Sequence, residues 1–155
     1  MSLWQKYKPY ILQVLLALGV GGLSALISGG MDAFDTLIKP PLSPPGWLFP
    51  VAWSILYVLM GIAAGLVQTS GDRDSGAALT AYYVQLALNF LWSPIFFGLG
   101  WIGFAAVWLA LLTVAVYVTK RRFCAISPVA GWLLVPYLLW CLFALYLNLG
   151  FVILN

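Results

Sequence analysis

Residues 47–68 read WLFPVAWSILYVLMGIAAGLVQ, an apolar stretch without a single charged residue. At a rise of about 1.5 Å per residue, such a stretch is long enough as a helix to cross roughly 30 Å of hydrocarbon. Four further runs share its character, approximately 10–27, 77–98, 101–119 and 128–154. None shows the alternation of apolar and polar side chains over about ten residues that a membrane β-strand requires. The expected architecture is an all-α integral membrane protein, with residues 1–155 forming a single bundle of five transmembrane helices. Residues 1–27 also have the outline of a secretory signal, basic and then apolar. Their apolar core is long, however, and an uncleaved first helix is the expected reading.

Composition agrees with a lipid-facing chain. Of 155 residues, 64% are hydrophobic and 7% are charged, against about 25% charged in an average soluble domain. The net charge of +3 comes from seven scattered basic residues, which form no basic face and exclude a nucleic-acid binder. An aromatic content of 16% excludes a disordered chain. Cys124 lies in a basic connector and Cys141 inside an apolar run. Helical rise from residue 128 to 141 separates them by roughly 20 Å, so both are expected to be free thiols.

The connectors are short except the first, residues 28–46. It holds the pair Gly29-Gly30 and the prolines Pro40, Pro41, Pro44 and Pro45. Proline fixes φ and removes a backbone donor, so this segment is expected to be a stiff, extended, lid-like loop. Six of the seven basic residues (Lys6, Lys8, Arg73, Lys120, Arg121 and Arg122) share one side of the expected bundle, and only Lys39 falls on the other. The positive-inside rule then makes the N-terminus cytoplasmic and leaves the C-terminus and the proline-rich loop outside.

Inside the five runs there is no Asp, Glu, Lys, Arg or His. Proton pumps and ion-coupled transporters place such groups near the bilayer midplane, so that class is disfavoured. The chain has no histidine at all, the paired titratable groups of hydrolytic catalysis are missing, and no metal site is expected. The remaining chemistry is aromatic and amide. Counting from the outer ends of the runs, Trp53 and Trp92 lie roughly 9 Å deep, Asn89 roughly 13 Å, and Trp140 about halfway across. Trp132, Pro136, Trp140, Ala144 and Asn148 recur every fourth residue, and Trp53 and Tyr57 are four apart. Such walls suit a flat aromatic ligand, stacked on indoles and fixed by N–H and amide groups. Trp4, Trp47, Trp101 and Trp132 sit near run ends, where tryptophan anchors the interface. Trp47, at the mouth of the second run, also counts as a ligand-binding candidate. Asn89 and Asn148 fit either ligand contact or interhelical bonding, and Gly61 and Gly65 fit close helix packing or dimerisation.

Three ordered blocks carry a family resemblance: PPLSPPGWLFPVAWSILYVLMG at 40–61, QLALNFLWSPIFF at 85–97, and VPYLLW at 135–140, continuing to Leu147-Asn148. The chain resembles the translocator protein family, also called tryptophan-rich sensory protein, TspO or peripheral-type benzodiazepine receptor. The resemblance implies a five-helix fold, often a homodimer, that binds tetrapyrroles such as protoporphyrin IX and flat synthetic ligands without a required cofactor. Some bacterial members are similar to light- and oxygen-dependent porphyrin-degrading enzymes with two implicated tryptophans, which match Trp53 and Trp140. The family's pocket asparagine matches Asn89, and a first-loop tyrosine of some members stands here as Phe34. Its cholesterol motif ends in a basic residue on the fifth helix. No Lys or Arg follows Arg122 here, so the motif is incomplete. The ligand-binding set expected from residues and resemblance together is Phe34, Trp47, Trp53, Tyr57, Asn89, Trp92, Ser93, Trp140, Ala144 and Asn148. Three readings follow: a porphyrin-binding receptor or carrier, a porphyrin-degrading enzyme using Trp53 and Trp140, and a regulatory membrane protein acting through a partner.

Overall fold

The computed structural model describes residues 2–29 and 32–155. Gly30, half of the expected Gly-Gly pair, lies outside them. The first helix, α1 (Leu3–Ser28), begins well before the apolar run because Ser2 and Gln5 form a capping box. The Ser2 Oγ accepts the Gln5 N–H, while the Gln5 side chain accepts the Ser2 N–H. Lys6 and Lys8 therefore sit on the helix itself. The helix ends at Gly29, whose φ of 81° belongs to the left-handed region that glycine adopts without a Cβ penalty.

The first connector contains one short helix, α2 (Asp32–Thr36), before the extended prolines. Next comes α3 (Leu48–Gln68), in which Pro50 costs no hydrogen bond because it falls in the first turn. The third run splits into α4 (Ser75–Ser93) and a five-residue π-helical extension, Pro94–Gly98. Pro94 has no N–H to give the Phe90 carbonyl, and the Ser24 hydroxyl of α1 donates to that carbonyl instead, at 2.7 Å. The fourth helix, α5 (Ile102–Ile126), runs beyond its expected end and carries Lys120, Arg121 and Arg122, which are not in a connector.

The fifth run is likewise two helices, α6 (Pro128–Leu133) and α7 (Val135–Leu154), with Leu134 between them and Pro136 at the start of the second. The break, together with the drift of about 40° that each four-residue step makes around an α-helix, corrects the expected stripe. Trp132 and Pro136 are turned outward, Trp132 being 70% exposed. The inward face of α7 is Tyr137, Cys141, Ala144, Asn148 and Phe151. Both cysteines are free thiols.

Among the described residues, four helical stretches have the length and hydropathy to cross a membrane: Leu3–Ser28, Leu48–Gln68, Ile102–Ile126 and Pro128–Leu154. The long helix α4, which is outside this set, packs among them against α1, α3 and α5. Large apolar side chains cover the outside of the bundle, as in Leu15, Leu26, Ile55, Val107, Leu111 and Leu139. A surface of this kind is stable in lipid and not in water.

Side-chain bonds tie the helix ends into two groups. At one end, Tyr10 of α1 bonds Thr69 beyond α3, and Gln13 donates to both Gln68 and Tyr83. At the other, the Asn155 amide pairs with the Ile38 backbone through two hydrogen bonds, and Tyr146 donates to the Pro41 carbonyl. The first loop is thereby fastened to the end of α7.

Candidate functional site

A cavity of about 310 Å³ opens between α1, α3 and α4, within the range of roughly 300–1,000 Å³ typical of small-molecule sites. One wall is aromatic. Trp53 stacks on Tyr57 with ring centroids 5.6 Å apart, and Phe49, Trp92 and Phe97 complete that side. The opposite wall is small and hydroxylated. Ser28 donates to the Ser24 carbonyl at 2.6 Å and shares a hydroxyl–hydroxyl bond of 3.0 Å with Ser93, and Gly21, Gly22 and Ala25 leave room beside them. Gly21 is required there, because a β-carbon would overlap the Tyr57 ring.

Behind the aromatic wall runs a buried polar chain. The Tyr57 hydroxyl donates to Asn89 Oδ1 at 2.6 Å, Asn89 Nδ2 donates to the Tyr137 hydroxyl at 2.8 Å, and Tyr137 donates to Gln85 Oε1 at 2.7 Å. Three helices are joined by it. Hydrocarbon offers these groups no water, so each must find a protein partner, and the chain fixes the rotation of α3, α4 and α7 about one another. Trp92 is held in a similar way. Its Nε1 donates to Asn148 Oδ1 at 3.2 Å, and Asn148 in turn donates to the Ile102 carbonyl.

The expected site residues divide into three groups. Trp53, Tyr57, Asn89, Trp92 and Ser93 line the cavity together. Phe34, Ala144 and Asn148 line a second void of only about 20 Å³, which shares Phe49, Trp92 and Phe97 with the first. Phe34 reaches it from the first loop, packed edge-on against Phe49 at 5.2 Å and Phe151 at 5.7 Å. Trp140 lines neither. It backs the wall, edge to face with Trp53 at 6.3 Å and with Phe49 at 6.0 Å, and its buried Nε1 has no protein partner among the described residues. Trp47 stands apart and is 68% exposed.

Several participants escape a reading by spacing. Tyr137 and Gln85 carry the polar chain, yet each sits among apolar neighbours with nothing local to mark it. The serines of α1 had one available signal, since Pro94 announces a free carbonyl at Phe90 that some hydroxyl must satisfy. Phe49 and Phe97 read as ordinary core.

An all-helical bundle with an apolar exterior, enclosing a cavity lined by indoles and hydroxyls, defines a multi-pass membrane protein. The chain belongs to the TspO/MBR family, whose model matches residues 12–154. It is 41% identical over 130 residues to Protein CrtK of Rhodobacter capsulatus, covering 83% of this chain and 81% of that one. Tryptophan-rich protein TspO of Chlorobaculum tepidum is 37% identical over 142 residues, with 90% of each chain covered. The human Translocator protein is 38% identical over 122 residues, covering 77% of this chain and 72% of the human one.

Proposed function

We propose that this protein is a membrane receptor or carrier that binds porphyrin-type tetrapyrroles and other flat hydrophobic molecules in the cavity between α1, α3 and α4. The observation that carries the reading is the opposition of two walls. Trp53, Tyr57 and Trp92 supply faces for stacking, while Ser24, Ser28, Ser93 and Asn89 supply polar atoms for a ligand's edge. A fused-ring ligand fills the cavity as it stands. A macrocycle needs the Phe49, Trp92 and Phe97 partition to yield, which joins the cavity to the smaller void under Phe34. The first loop, fastened to α7, then acts as the cover.

In this reading α4 and its π-helical extension make a fifth crossing. The end bearing Lys6, Lys8, Arg73 and Lys120 to Arg122 is cytoplasmic, by the positive-inside rule. Titration of protoporphyrin against tryptophan fluorescence tests the site. The double variant Trp53→Phe, Trp140→Phe is expected to bind at least about tenfold more weakly, a loss of roughly 1.4 kcal/mol. Undiminished affinity overturns the assignment.

Contact between Trp53 in the wall and Trp140 behind it favours a second reading, light-driven porphyrin breakdown with oxygen as co-substrate. There the ligand supplies the photochemistry and the protein the positioning. Illumination of the complex with loss of porphyrin absorbance no faster than in empty detergent excludes it. If no ligand shifts the melting temperature, the regulatory reading through a protein partner takes precedence.

A further inference from the structure

The polar chain behind the cavity has a property that none of its members has alone. Its proton donors all point one way, from Tyr57 to Asn89 to Tyr137 to Gln85. A tyrosine hydroxyl donates one proton and also accepts, and a primary amide donates at one end and accepts at the other. Turning both amides end over end therefore reverses every bond without losing one. Gln85 then donates to Tyr137, Tyr137 to Asn89, and Asn89 to Tyr57. In the first sense Tyr57 has committed its proton and offers the cavity only lone pairs. In the reversed sense it offers the proton.

Reversal changes the far end as well, where Gln85 presents an N–H in one sense and a C=O in the other. That end needs a neighbour able both to donate and to accept. Gln85 Nε2 and the Tyr82 hydroxyl are both sealed from solvent, and neither has a protein partner among the described residues. They lie three residues apart, on one face of α4. Buried polar atoms are satisfied by protein or by ordered water. A hydroxyl, or a water between the two groups, serves either sense. The chain thus has two arrangements of equal bond count, the kind of two-state element through which a distant group can bias a site.

We infer that Tyr57, Asn89, Tyr137 and Gln85 form a reversible hydrogen-bond relay that sets the polarity of the cavity, so that one site accepts ligands that donate at Tyr57 and ligands that accept there. The inference rests on the cavity being the ligand site. Three flat tricycles of similar outline test it: carbazole, whose ring N–H only donates; fluorenone, whose carbonyl only accepts; and fluorene, which does neither. Titration calorimetry of the full chain in detergent should show carbazole and fluorenone each binding more tightly than fluorene.

The decisive variant is Gln85→Leu, which touches neither cavity wall. Without an acceptor at residue 85, Tyr137 turns its proton toward Asn89 and locks Tyr57 as a donor. Carbazole is expected to weaken by about fivefold, the size of one neutral hydrogen bond, while fluorenone keeps its affinity. If that variant does not fold, Gln85→Met, of similar length and with only a weak acceptor, should show the same sign at smaller size. Tyr57→Phe should level all three ligands. Equal weakening of carbazole and fluorenone in the residue-85 variants, or no change in either, overturns the relay and leaves the cavity assignment standing. Failure of all three tricycles to bind the unaltered protein overturns both.

Discussion

The seam between α1 and α3 behaves oppositely at its two ends. Toward the basic end the helices touch backbone to backbone, because Gly61 faces Val14 and Gly65 faces Tyr10 with no room for a β-carbon. Toward the first loop, past the contact of Gly21 with the Tyr57 ring, the same two helices part, and Gly22 and Ala25 line the cavity together with Pro50, Trp53 and Ser54. Small residues occur at both ends, so size alone does not decide between contact and cavity. The difference lies in what stands opposite. At the tight end Gly61 meets the Val14 backbone, and Gly65 meets the ring edge and backbone of Tyr10. At the open end the Tyr57 ring rests against Gly21 and the Trp53 indole stacks on it, one turn nearer the first loop, where the cavity opens. Helices in lipid associate by packing and not by hydrophobic expulsion, so a seam can close at one end and stand open at the other.

The comparison breaks most sharply at Gly61. Replacement Gly61→Val overlaps the Val14 backbone, which cannot swing aside as a side chain does. The expected cost is about 3 kcal/mol or more, at the upper end of the overpacking range, read as a lower melting temperature in detergent. The matching change Gly19→Val, at a position with nothing within 4 Å of the new β-carbon, should leave the melting temperature nearly unchanged. Equal effects from the two would refute the close seam.

Next in size is Asn89→Leu. It removes the acceptor of Tyr57 and the donor to Tyr137, at an expected cost of about 2 kcal/mol for buried hydroxyls stripped of partners. Thermal unfolding followed by far-ultraviolet circular dichroism measures it. A variant as stable as the parent would mean that the polar chain contributes nothing to helix rotation.

The open end is sharpened by Gly22→Leu. Gly22 lines the cavity, yet a β-carbon there meets nothing within 4 Å, so the larger side chain enters free space. Stability should stay within about 0.5 kcal/mol, as for substitutions away from packed features. Protoporphyrin affinity should fall about tenfold, roughly 1.4 kcal/mol. Retained affinity would move the ligand elsewhere in the bundle.

The smallest expected effect belongs to the first loop. Asn155→Ala removes both hydrogen bonds to the Ile38 backbone. At about 1 kcal/mol for such exposed bonds, global stability should barely move, while amide exchange at Leu37 and Ile38 should quicken. Unchanged exchange would show that Tyr146 and the prolines hold the loop unaided.

Apolar length made most of the helices legible in advance, and the exception is instructive. The third run reads as helical, yet α4 falls outside the four stretches with membrane-crossing hydropathy. It is the helix that carries Gln85 and Asn89, whose polarity is spent inside the bundle and not on its surface. A hydropathy scale charges those side chains as if they faced lipid. The stripe on the fifth run failed for a different reason. Periodicity assumes an unbroken helix, and the irregular turn at Leu134 rotates Trp132 away from the face that Ala144 and Asn148 share. Likewise, Trp140 was legible as a deep indole, but depth does not say whether a ring lines a void or backs the residue that does.

The sequence by itself determined a helical membrane chain and the end of the bundle that collects the basic residues. These follow from local quantities: run length, charge position and rise per residue. Only the tertiary structure decided that Trp53 and Trp92 face a cavity while Trp140 stands behind them. It also decided that Tyr137 and Gln85 complete a polar chain begun by Tyr57, and that Ser24 satisfies the carbonyl left free by Pro94. Those outcomes depend on how each helix rotates and where neighbouring backbones meet. Such rotation is set by side chains tens of residues apart along the chain, through contacts that no local pattern encodes.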